Sequence, residues 1–148
     1  LASAAEDLYW QIFFDNMQLR PGCLAFLQSV GLPIAIVTDL TARIQFEKIK
    51  HLKIATYLQA IVTSEESGHE KPHPLIFEIA AQKLDLPLTS LCMIGDSFER
   101  DIEGAHKLGL DCYWLNTEGG DKETVRARAC DSVTIFNDFL QLLELVKK

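Results

Sequence analysis

No apolar run in the chain approaches the roughly 18 residues that a membrane-spanning helix needs, and no basic segment leads into an apolar one, so neither a membrane span nor a secretory signal is expected. Cysteine is sparse. Cys23, Cys92, Cys112 and Cys130 are widely spaced and form no C-x-x-C pair; with Cys92 and Cys112 inside apolar runs, all four are expected as reduced core residues of a cytoplasmic protein. Lys and Arg number 14 against 21 Asp and Glu, for a net charge of −7. No basic cluster is dense enough to neutralise a run of phosphates, so no nucleic-acid partner is expected. Internal repeats and low-complexity tracts are also missing. The chain starts at Leu1 rather than Met, which suggests a fragment or a processed product. What remains is substantial: 148 residues, 48% of them hydrophobic, suit one domain with a real core.

Residues 3–19 place Leu8, Ile12 and Leu19 among Tyr9, Trp10, Phe13, Phe14 and Met17 at helical spacing, with Ser3 as an expected N-cap. Pro21 and Gly22 break that helix, and a second runs from Cys23 to Val30, closed by Gly31. Pro33 to Thr38 is a continuous apolar run with a polar end, the pattern of a strand buried on both faces. A helix from Thr41 to Ile49, a turn near Tyr57 and a strand over Ala60–Thr63 follow. Ser64 to Pro74 reads as a polar loop and Leu75 to Leu84 as a helix. Leu91–Ile94 is a third strand, Phe98–Leu108 a helix and Cys112–Leu115 a fourth strand; a short helix over Asp121–Ala129, a strand over Ser132–Ile135 and a helix over Phe136–Val146 complete the chain. Strands alternating with helices imply an α/β, Rossmann-like parallel sheet with helices on both faces.

Polar residues collect just after strand ends. Thr38 and Asp39 follow the first strand, Lys71 lies in the loop after the second, and Asp96 and Asp101 follow the third. In a doubly wound sheet such loops share one edge, so these residues can converge on one crevice. A hydroxyl, an ammonium and two carboxylates that hold a hard cation such as Mg²⁺ are together what phosphoryl transfer needs, because that chemistry is mostly positioning and charge neutralisation. Each residue also has a plainer reading. Thr38, Asp96 and Ser97 are good helix caps, Asp101 suits a helix's first turn, and a lone lysine in a Pro-rich loop is commonly a solvated charge.

Three segments carry a resemblance. Ile36-Val-Thr38-Asp39-Leu-Thr41, Glu70-Lys71-Pro-His-Pro-Leu-Ile-Phe77 and Met93-Ile-Gly-Asp96-Ser-Phe-Glu-Arg-Asp101-Ile-Glu-Gly104-Ala resemble, in order and spacing, motifs two, three and four of the haloacid dehalogenase-like hydrolases, over roughly residues 5–120. The resemblance implies that the Thr38 hydroxyl and the backbone at Asp39 bind phosphoryl oxygens, that Lys71 neutralises the nucleophile and the transferring group, and that Asp96 and Asp101 form the Mg²⁺ site. The acidic pair points to a phosphatase rather than to a metal-free dehalogenase.

The family's first motif is a strand ending in Asp-x-Asp, whose first carboxylate attacks phosphorus and whose second protonates the leaving group. This chain contains no Asp-x-Asp. Ile12-Phe-Phe-Asp15-Asn-Met17 imitates the apolar lead-in but ends on Met17. Either Asp15 is the nucleophile of a capless relative, or residues 3–19 are the last segment of the helical cap that the family inserts between motifs one and two. The aromatic helical spacing and the unsuitability of Met17 as a proton donor favour the second. Residues 1–20 are then the end of a cap, and residues 21–148 a Rossmann-like hydrolase core lacking its first strand, with no nucleophile in the chain as given. Such a chain is expected to be inactive alone, with two buried strand edges unpaired beside the missing central strand.

The leading expectation is therefore a Mg²⁺-dependent hydrolase of a small-molecule phosphate ester, working through an aspartyl-phosphate. A degenerate family member that binds phosphate or a partner protein is the alternative. A receiver-like domain fits less well, because Thr38 and Lys71 precede the acidic pair. The apolar face of residues 8–19 is expected to meet either the rest of a cap or a second copy in a homodimer.

Overall fold

The computed structural model describes residues 2–39, 41–116 and 132–146. The expected helix over Asp121–Ala129, Cys130 and Leu1 lie outside the described residues. In chain order the elements are α1 (Ala2–Asn16), α2 (Cys23–Ser29), β1 (Ala35–Thr38), α3 (Ala42–His51), β2 (Ala60–Thr63), α4 (Ser64–Ser67), α5 (Pro74–Leu84), β3 (Cys92–Gly95), α6 (Glu103–Lys107), β4 (Asp111–Leu115), β5 (Val133–Phe136) and α7 (Phe139–Val146). Short 3₁₀ turns occupy Ala55–Tyr57 and Leu88–Ser90, and a π-helical turn over Phe98–Ile102 leads into α6.

Every strand pairing is parallel, as the alternation of strands and helices requires. The strands fall into two sheets, β1-β2 and β3-β4-β5. In register, Thr38 lies opposite Thr63 at the end of the first sheet, and Gly95 opposite Trp114 at the end of the second. Among the described residues β1 bonds only to β2, and β3 only to β4, so each keeps one ladder edge unpaired.

Side chains alternate across β4 and divide the core. Cys112 and Trp114 join Val62, Ile76, Phe77, Ile102, Ala105 and Leu110 on one face. Leu115, with Tyr113 packed beside it, meets Phe26, Phe136 and Leu142 on the other, beneath α2 and α7. The first cluster holds residues of both sheets, with α5 lying on β1 and β2 and touching α6.

Several boundaries differ from the sequence expectation for identifiable reasons. α1 begins at Ala2, so Ser3 lies within it rather than capping it, and it ends at Asn16 instead of Leu19. Its last turn closes by a bond from Met17 N–H to the Phe14 carbonyl, and the residues ahead of Pro21 leave helical geometry, as proline demands of its predecessor. The expected loop after β2 contains α4, whose N-cap Thr63 accepts from Glu66 N–H at 3.2 Å and whose chain reverses at Gly68. Phe136 is the buried last residue of β5 rather than the start of the final helix. That helix waits for Asp138, whose Oδ1 accepts from both Leu140 and Gln141 N–H at 2.9 Å. Cys112 is a core residue as expected, but Cys92 is exposed and Cys23 half-buried. Cys92 opens β3 opposite Asp111, at the strand's start rather than within its buried body.

Candidate active site

The carboxyl ends of β1 and β3 meet at Lys71. Its ammonium donates to the Val37 carbonyl at 3.1 Å and lies 2.8 Å from Asp101 Oδ1, so one cation spans the two sheets. The lysine is held from behind as well, because its backbone N–H donates to Asp39 Oδ1 at 2.8 Å. A cis peptide joins Lys71 to Pro72, and His73 caps α5 by accepting from Leu75 N–H at 3.3 Å. Gly104 lets α6 approach this loop, since a Cβ there would fall 2.6 Å from the Pro72 Cβ.

Asp101 is almost fully buried, 5% exposed. Its Oδ2 accepts from Ser97 N–H at 3.1 Å, and its Oδ1 pairs with the Lys71 ammonium at 2.8 Å. Room for this carboxylate comes from Gly95, where an added Cβ would lie 2.5 Å from the Asp101 Cβ and 2.6 Å from its carboxyl carbon. The glycine at the end of β3 therefore serves as space for the acid, besides allowing the turn. The π-helical turn that carries Asp101 is capped by Ser97, which accepts from Arg100 N–H at 3.4 Å.

Asp96 is different. Its side chain is 59% exposed, and its carbonyl accepts from the Trp114 indole at 3.2 Å, which anchors the loop while leaving the carboxylate in solvent. Thr38 ends β1 half-buried, and among the described residues its hydroxyl makes no hydrogen bond. A free donor at that place suits an incoming anion. Glu65 closes the neighbouring turn by accepting from Ala42 N–H, the first residue of α3, at 2.8 Å.

Lys71 thus meets Asp101, Asp39 and the end of β1 directly, while Thr38 and Asp96 stand beside these groups at the ends of β1 and β3. Two residues that sequence reasoning passed over stand there too. Arg20 lies 3.8 Å from Asp96 Oδ2, and Arg100 lies 3.7 Å from Asp39 Oδ2. Nothing in their spacing marks either one; Arg20 sits in the loop before α2, far from the motifs in sequence. Asp15 does not join them, being an exposed residue of α1. Nor do Cys23 or Cys92 offer an activated nucleophile. Burial raises the half-buried Cys23 thiol above its ordinary pKa, and at Cys92, exposed as a residue, partial desolvation of the thiol and then the Asp111 charge do the same, so both stay protonated at neutral pH.

Among the described residues no group of three or more His, Cys, Asp or Glu side chains is placed to hold a metal. Magnesium asks for less, since it is held by one or two carboxylates together with substrate phosphate and water. The open Asp96 carboxylate, with the buried Asp101 carboxylate next to Gly95 behind it, fits that smaller set.

A parallel α/β sheet with such groups at its carboxyl edge is common to several classes of protein, and comparison with known proteins gives the family. Residues 6–115 match the haloacid dehalogenase-like hydrolase family. The chain belongs to that family. It is 33% identical to the ribulose-1,5-bisphosphate 5-phosphatase of Halopiger xanaduensis, over 96% of this chain and 64% of that protein. It is 31% identical to the glyceraldehyde 3-phosphate phosphatase of Methanothermobacter thermautotrophicus, over 81% of this chain and 54% of that one. Its fold superposes on a HAD phosphatase from Thermococcus onnurineus with a TM-score of 0.75 at 22% identity, covering 86% of this chain and 58% of the other. The chain therefore spans between about half and two thirds of the length of these relatives.

Proposed function

We propose that the protein to which this chain belongs is a Mg²⁺-dependent phosphohydrolase of a small phosphorylated metabolite. The observation that carries the reading is Lys71, whose ammonium links the end of β1 to Asp101 beside the end of β3 and so draws three separate polar segments into one mouth. Both curated relatives named above are phosphatases of small sugar phosphates, which supports that substrate class.

In this reading the phosphoryl group sits between Thr38 and Lys71. The Thr38 hydroxyl and the backbone N–H groups after it donate to phosphoryl oxygens, and Asp39 contributes through its backbone, since its carboxylate is committed to the Lys71 N–H. Lys71 offsets charge on the transferring group; held by Val37 and Asp101, it needs no reorganisation as that charge develops. Asp96 and Asp101 would hold Mg²⁺, which when bound neutralises phosphoryl charge. A carboxylate nucleophile is assigned to a strand between β1 and β3, each of which keeps one edge without a partner among the described residues. It displaces the ester oxygen, which leaves with a proton from a neighbouring acid, and water then releases phosphate from the aspartyl-phosphate. We assign α1 to the end of a cap over this mouth, and the protein to the cytoplasm, where the unbridged thiols of Cys23 and Cys92 would stay reduced.

The test is phosphate release from a panel of small phosphate esters with Mg²⁺, using the intact protein and its Asp96→Asn variant. Because Asp96 is exposed, the variant should keep its fold and lose about a hundredfold in turnover. Unchanged Mg²⁺-dependent turnover would reject the metal assignment; phosphate binding with no turnover in the unaltered protein would favour a binding module.

A further inference from the structure

Among the described residues of the mouth, Asp101, Asp96 and Asp39 each meet a different cation. Asp101 meets Lys71 at 2.8 Å with both side chains nearly buried. Asp96 meets Arg20 at 3.8 Å, and Asp39 meets Arg100 at 3.7 Å; both guanidinium groups are more than half exposed. The inner pair is fixed, while the outer two are long contacts without a hydrogen bond between the charged groups. The Arg20–Asp96 pair is exposed on both sides and contributes little, so exchanging its carboxylate for another anion costs little; Asp39 is largely buried and bonded to the Lys71 N–H, so there it is the exposed Arg100 that can turn to another anion. An arginine fork donates two parallel hydrogen bonds to a carboxylate or a phosphate, and in these contacts both forks retain donors.

The surrounding protein works against anions, with a net charge of −7. A ligand that carries charge beyond its transferred phosphoryl group needs local cations, and Lys71 already answers the inner carboxylate and the Val37 carbonyl. We infer that Arg20 and Arg100 form an outer anion subsite that binds a second negative group of the substrate, either a carboxylate or a second phosphate. The inference rests on the phosphohydrolase reading and narrows its substrate class to phosphate esters with a second anionic end.

Binding can be measured without turnover. The intact protein with Mg²⁺ is titrated calorimetrically with propylphosphonate, phosphonopropanoate and propylene bisphosphonate, which share a chain length, resist hydrolysis and differ only at the far end. The two ligands with a second anion should bind about tenfold tighter than propylphosphonate, an advantage of roughly 1.4 kcal/mol. Arg20→Gln and Arg100→Gln, singly and combined, should shrink that advantage stepwise towards none. The exposed pair partner Lys107 on α6 serves as the control, and Lys107→Gln should leave the ratio intact. Equal affinity for all three ligands in the unaltered protein would overturn the subsite. So would an advantage that survives the double variant, or an equal loss for all three ligands, which would make the arginines mere supports for Asp96 and Asp39. Propylphosphonate itself reports the inner site, and release of phosphate from esters is scored separately, so loss of the hydrolase reading and loss of the subsite give different results. A preference for the bisphosphonate over phosphonopropanoate identifies the second group as phosphate, and the reverse as carboxylate.

Discussion

α1 and α5 are both apolar helices, yet only one of them is inside the protein. α5 buries Ile76, Phe77, Ala80 and Ala81 against the sheet, and Ile76 has no exposed surface. α1 is longer and richer in aromatic side chains, but none of its described side chains is buried, and Leu8, Tyr9 and Ile12 are each more than half exposed. Its rings pack edge to face on one another instead, Tyr9 against Trp10 at 5.1 Å and Trp10 against Phe13 at 5.5 Å between centroids. Outside the helix, Phe14 meets His51 at 5.5 Å, and Lys48 of α3 lies 5.0 Å over the Phe13 ring. A depression of about 480 Å³ runs beside Tyr9, Ile12, Phe13, Asn16 and Met17. Helical spacing gives a helix an apolar face, but only a neighbour makes that face a core.

The contrast can be broken from either side, and the largest effect should come from α5. Phe77→Ala removes a ring that is 2% exposed, and a loss of about 3–5 kcal/mol is expected, read as a shift in the denaturant midpoint. A cost below about 1 kcal/mol would mean that α5 is no better packed than α1. Next comes the charge pair at the loop before α5. Asp101→Ala leaves the Lys71 ammonium nearly buried without its partner, and about 3 kcal/mol should be lost, with Lys71→Met restoring part of it in the double variant. Thr63→Ala removes the cap of α4 beside α5 and should cost about 1 kcal/mol by the same denaturation. Smallest of all, Tyr9→Ala in the 148-residue chain should change stability by less than about 0.5 kcal/mol. Repeated in the intact protein it sharpens the comparison: a cost above about 1 kcal/mol there would show that α1 gains a packing partner, as a cap segment should.

Most of the fold was legible in the residues because period and punctuation are local properties. The continuous apolar run ending at Thr38 gave β1, Ala60–Thr63 gave β2 to the residue, and Gly31, with φ of 66°, closes α2 as expected. Ends set by side-chain caps were less legible. Thr63 and Asp138 decide where α4 and α7 begin, and each competes with neighbouring residues of similar propensity. The site divides in the same way. Thr38, Asp39, Lys71, Asp96 and Asp101 were visible because each lies at a strand's end or in the segment that leads from it to the next long helix. Arg20 and Arg100 were not, since long flexible cations carry no positional signature until the chain is folded around them.

The sequence alone determined the order of strands and helices, the parallel class of the sheet and the polar groups at its carboxyl edge, because apolar periodicity and loop chemistry act over a few residues. Only the tertiary structure decided which charges meet. It alone set Asp101 into the space left by Gly95 and against Lys71, left Asp96 in solvent beside Arg20, and kept the apolar face of α1 uncovered. The physical reason is that burial and charge pairing depend on residues far apart in the chain, and no local pattern records the distances between them.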